Sequence, residues 1–131
     1  MERTAVNPVT WSQELGSNQG EVVSGESRTL YISGQTAMSA EGRPQHEEDI
    51  ASQLTLAVDN LEAVLTEAGM SLANLIRLNV YTIDVDALFP HYGIIAGRLG
   101  AAGVAPTTTM LGVTCLAIPG QMVELEGTAV A

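Results

Sequence analysis

The sequence predicts an α+β fold in the order β-β-α-β-α-β-β, with one mixed sheet and two helices on one of its faces. Short β-rich segments bounded by turn residues fall within 20–36 and at 75–83, 107–115 and 122–130. Two stretches, 47–68 and 86–101, carry apolar residues every three or four positions, the helical period. The 131-residue length predicts one domain, residues 1–131, and 46% hydrophobic against 15% charged residues excludes a disordered chain.

Each element has its own signal. In 20–36, the turn-forming Ser24-Gly25-Glu26-Ser27 separates two short strands, and Leu30, Ile32 and Gly34 alternate with Tyr31, Ser33 and Gln35. Residues 39–45 carry Gly and Pro and predict a loop. The first helix buries Ile50, Leu54, Ala57, Val58, Leu61, Val64, Leu65 and Ala68, with Gln53 and Asn60 mostly off that stripe. Glu47, Glu48 and Asp49 suit its first turn, where the helix dipole favours anions, and Gly69 stops it. The strand 75–83 places Ile76, Leu78 and Val80 on one face and Arg77, Asn79 and Tyr81 on the other. The second helix has Asp86 as its expected cap, a stripe of Leu88, Tyr92, Ile95 and Leu99, and Pro90 in its first turns.

Two helices cover one sheet face only. The other is expected to hold Thr108, Met110, Gly112, Glu124 and Glu126, a mixed surface suited to burial against further copies of the chain. Cys115 is expected with Leu111 and Val113 on the apolar face as an inert buried thiol, and Trp11 and Met38 as packing residues. His46 and His91 are expected to be exposed or structural.

Composition narrows function. Fifteen acidic and five basic residues give a net charge of −10. All the basic residues are arginines: Arg3, Arg28, Arg43, Arg77 and Arg98. Such a surface predicts no nucleic-acid or anionic-membrane partner. Without lysine there is no Schiff-base chemistry. One cysteine and two isolated histidines predict no disulfide and no metal site. No apolar run is long enough for a membrane span, and the N-terminal residues do not form a secretory signal, so a cytoplasmic location is expected.

Several short motifs, taken together in order and spacing, resemble the Rid (YjgF) family of reactive-intermediate deaminases. They are Ser33-Gly34-Gln35; Gln53, Leu56 and Asp59-Asn60-Leu61; Ala68-Gly69-Met70-Ser71; Asn79-Val80-Tyr81 before Asp84; Tyr92; Pro106; and Val123-Glu124-Leu125-Glu126. The resemblance implies a chorismate-mutase-like subunit and a homotrimer with a small-metabolite cleft at each subunit boundary. It also implies cofactor-free hydrolysis of imines or enamines. The family's water-orienting glutamate matches Glu124, and its cleft wall matches Ser33, Gly34 and Gln35. Thr108, with Thr109 and Met110 after it, occupies the slot of the family's substrate-gripping arginine. Ser17 stands for an aromatic, and Phe89, three residues before Tyr92, for an asparagine.

A carboxylate substrate needs a cationic partner, which position 108 lacks. The expectation is therefore hydrolysis of an imine, enamine or related C–N bond with poor activity on 2-imino acids. The alternative is a non-catalytic small-molecule binding or sensing protein. Glu124 and Glu126 share a strand face roughly 7 Å apart, and Glu124 is the expected catalytic residue. The threonine hydroxyls suit a neutral polar ligand equally with plain strand propensity.

Overall fold

A computed structural model describes residues 1–131. Its strands are β1 (Glu2–Val6), β2 (Gly20–Ser24), β3 (Thr29–Gln35), β4 (Leu75–Thr82), β5 (Thr107–Gly112) and β6 (Val123–Val130). Its α-helices are α1 (Ile50–Glu67), α2 (Val85–Leu88) and α3 (Gly93–Ala101). The main sheet runs β3-β6-β4-β5, antiparallel except for the parallel β4–β5 pair. Helix α1 packs across β6 and β3, and α3 packs beside α1, so the helices share one face as expected. Leu54, Leu61, Leu65, Leu78, Val80, Leu125 and Ile95 fill the layer between.

The N-terminus departs from expectation. Residues 2–6 carry no clear alternation, yet they form β1 and pair with β2 in a separate two-stranded ribbon. The two strands of 20–36 are therefore not partners: β2 joins β1, and β3 joins β6. Arg3 holds the ribbon to the body. Its guanidinium pairs with Glu21 and donates to the Leu75 carbonyl at 2.7 Å. Glu21 is 7% exposed, so the pair is largely removed from water.

Helix α1 starts at Ile50, three residues later than the acidic run suggests, because Asp49 caps it. Asp49 accepts from the Ser52 amide at 3.1 Å, and His46 and Glu48 before it adopt positive φ. Gly69, at φ +73, ends the helix as expected. Gln53, read as lying off the stripe, is fully buried. Its side chain donates to the carbonyls of His46 and Gly120 at 3.1 and 2.9 Å and accepts from the Met122 amide at 2.7 Å. A polar residue can occupy this core position because every hydrogen-bonding group it brings meets a loop backbone group.

The expected second helix is broken in two. Asp84, not Asp86, is the cap, accepting from the Ala87 amide at 3.0 Å. Pro90 sits in a 3₁₀ turn, Phe89–His91, between α2 and α3. Proline lacks the amide that a continuous helix requires there. Strand β5 stops at Gly112, so Cys115 is exposed rather than buried, and Leu111 is 50% exposed. Trp11 is 63% exposed and is not a core residue. His46 and His91 are both exposed.

Candidate functional site

Sheet register separates residues expected to share a face. Thr108 and Met110 stand opposite Leu78 and Val80 on the helix-covered side. Glu124 and Glu126 stand opposite Tyr81 and Asn79, on the open side with Thr109. Position 108 therefore lies across the sheet from Glu124. Each strand's alternation leaves its face relative to another strand open, and only inter-strand register relates the two.

On the helix side, Ser17, Phe89, Tyr92, Thr108 and Met110 come together with Leu15 around a cavity of about 120 Å³. The break between α2 and α3 builds its wall: Phe89 and Tyr92 stack with ring centroids 6.4 Å apart. Burial pushes the Tyr92 phenol above its ordinary pKa, and the neighbouring Thr108 hydroxyl partly offsets this. Thr108 Oγ1 donates to the Pro106 carbonyl at 2.9 Å. Leu15 carried no sequence signal; a 3₁₀ turn at Trp11–Leu15, closed by Gly16 at φ +84, delivers it.

On the open side lie Ser33, Gly34 and Glu124. Between the pairs Ile32–Gly127 and Gln35–Leu125, β3 advances three residues while β6 advances two, a β-bulge at Ser33-Gly34. The bulge brings Gly34 against the Glu124 carboxylate. A methyl group on Gly34 would overlap Glu124 Oε1 and stand 2.8 Å from Cδ. Gln35 is carried to the register of Leu125 instead of keeping step with Tyr31, and its amide donates to the Ser33 carbonyl at 3.2 Å.

Beside Glu124 runs a polar chain that sequence reading did not assemble. Arg77 donates from Nη2 to Thr109 Oγ1 at 2.7 Å and from Nε to Asn79 Oδ1 at 3.0 Å. Asn79 donates to Glu126 Oε1 at 3.0 Å, and the Tyr81 hydroxyl donates to the same oxygen. That hydrogen bond, followed by burial, raises the Tyr81 pKa. The alternation of β4 placed Arg77, Asn79 and Tyr81 on one face; pairing with β6 supplied Glu126. Glu126 is thus committed to structural hydrogen bonds, while Glu124 has no side-chain hydrogen-bond partner.

No three His, Cys, Asp or Glu side chains group closely enough to hold a metal ion. No helix is long and apolar enough to cross a membrane.

A family model described as Endoribonuclease L-PSP matches residues 15–131. The chain is 30% identical over 117 residues to the RutC family protein YjgH of Escherichia coli (strain K12), across 89% of this chain and 88% of that protein. Among solved structures, YyfB of Yersinia pestis, a Rid-family protein described as of unknown function, matches with a TM-score of 0.85 at 31% identity over 100% of both chains. Rv2704 of Mycobacterium tuberculosis, of the YjgF/YER057c/UK114 family, matches with a TM-score of 0.67 at 26% identity over 99% of this chain and 100% of that one.

Proposed function

The chain belongs to the Rid (YjgF, L-PSP) family, and from that premise we propose that it is a cytoplasmic homotrimer hydrolysing an imine, enamine or related C–N bond of a small metabolite in clefts between subunits. The observation that carries the proposal is the division of the candidate residues by the sheet. Ser17, Phe89, Tyr92, Thr108 and Met110 line a cavity on the helix side, and Gly34 and Glu124 lie on the open side. Within one chain the sheet stands between the two sets. A neighbouring copy can bring them onto a single ligand, by presenting its Glu124 at this chain's cavity edge. The open face, with Tyr31 79% exposed and Leu111 50% exposed, is the surface such a copy would cover.

In that cleft the cavity holds the apolar part of the substrate. Glu124 accepts a proton from water as the water oxygen bonds to the imine carbon. Glu124 returns that proton to nitrogen, giving a carbinolamine. The carbinolamine hydroxyl proton then passes by way of Glu124 to nitrogen as the C–N bond breaks, so ammonia leaves and a carbonyl product remains. Thr108, in the arginine slot, makes short 2-imino acids poor substrates. A net charge of −10 disfavours RNA as substrate despite the name of the matching family model.

The test is subunit complementation. Glu124→Gln removes the base and Met110→Trp fills the cavity, so each homotrimer should be inactive on an imine generated in situ. Mixed after unfolding and refolding, the two chains should recover activity at roughly a quarter of the clefts by random assortment. No recovery, with both variants folded and trimeric, would sink the shared cleft. A wild-type protein that binds ligand but releases no ammonia would favour the binding or sensing role.

A further inference from the structure

We infer that Arg77 holds the carboxylate of a small organic acid whose apolar tail occupies the Phe89–Tyr92 cavity. Beside that cavity runs a second, polar groove of about 370 Å³, lined by Arg77, Thr107, Thr109, Ser12, Asn18 and Gln19 among others. The two spaces adjoin, with Leu15, Ser17 and Thr108 lining both. One compartment is chiefly apolar and the other carries a cation. A ligand filling both has an apolar end and an anionic end. The cavity is on the scale of those that accept a single benzene ring.

Arg77 is suited to the anion. Arg3 is paired with Glu21, and Arg98 with Asp59 and Glu62. Arg77 is half-buried yet has no carboxylate within ion-pair distance. Thr109 and Asn79 hold its Nη2 and Nε, which fixes the plane of the guanidinium, while Nη1 has no protein acceptor. A pre-oriented guanidinium loses little freedom on binding a carboxylate. The same groove has a second unsatisfied group. Ser12 is 5% exposed, and its hydroxyl has no hydrogen-bond partner, a rare condition for a buried polar atom.

This inference rests on the cleft proposed above, and binding measurements test it apart from turnover. Titration calorimetry would compare 3-phenylpropanoate with its neutral amide on the unmodified protein, Arg77→Gln and Arg77→Lys. The acid should bind the unmodified protein, lose roughly 10- to 150-fold in affinity with Arg77→Gln, and lose less with Arg77→Lys. The amide should bind the unmodified protein and Arg77→Gln alike, which also shows that the variant keeps its cavity. Equal affinity of the acid for the unmodified protein and Arg77→Gln, or no saturable binding of the acid to the unmodified protein, would overturn the inference. Arg77-dependent binding without any imine hydrolysis would instead overturn the catalytic reading and leave this one standing.

Discussion

Gly34 and Glu124 are matched: the carboxylate of Glu124 lies where a side chain on residue 34 would have to stand. The β-bulge at Ser33-Gly34 produces this approach, and it leaves the carboxylate without a side-chain hydrogen-bond partner. A small change at one residue should therefore move the other.

Gly34→Ala should displace the Glu124 carboxylate and lower imine hydrolysis about 100-fold or more, the scale of losing a general base. Gly34 is not among the glycines at positive φ, so alanine meets no backbone penalty, and thermal stability should change little. Ammonia release and a thermal melt check the two halves. Full activity in the variant would mean that Glu124 is not positioned by this contact.

Thr108→Arg should raise activity on 2-iminopropanoate by roughly 10- to 150-fold, because a charge-assisted contact contributes about 1.5–3 kcal/mol. The gain should vanish when Glu124→Ala is added. Residue 108 also lines the apolar cavity, so the arginine should weaken 3-phenylpropanamide binding at the same time. Wild-type activity already matching an arginine-bearing deaminase would show that Thr108 is not the decisive departure.

The Tyr81 phenol should ionise above its ordinary value of 10.0, chiefly because it donates to Glu126. A raised folded pKa means that this contribution to stability is fully present below the ordinary value. It is lost as pH rises through the folded value. Glu126→Gln should lower the alkaline midpoint of one tyrosine, read by phenolate absorbance, and Tyr81→Phe should abolish that transition. An unchanged midpoint in Glu126→Gln would contradict the assigned cause.

Gln53→Leu should cost about 3 kcal/mol, since it leaves the His46 and Gly120 carbonyls and the Met122 amide without their side-chain partner in a buried setting. Chemical denaturation reads this directly. A loss below about 1 kcal/mol would mean that water replaces the amide.

Local pattern settles what a single segment controls. The alternation of 75–82 separates Arg77, Asn79 and Tyr81 from Leu78 and Val80 whatever the neighbouring strands do. The apolar stripe of 50–67 predicts a helix seated on a sheet, and Gly69 ends it through its own backbone freedom. The family motifs were legible for the same reason, as residues in a fixed linear order.

Only the tertiary structure decided how segments meet. Whether Thr108 and Glu124 share a face depends on the register that sets Thr108 opposite Leu78 and Glu124 opposite Tyr81, and no residue in β5 carries that information. The pairing of β2 with β1, the burial of Gln53 and the approach of Gly34 to Glu124 likewise depend on partners distant in sequence. Period-two and period-3.6 patterns report which side of an element is apolar. Register, bulges and hydrogen-bond partners arise between elements, and there the helix-side cavity, the Arg77 groove and the Glu124 face were set apart or joined.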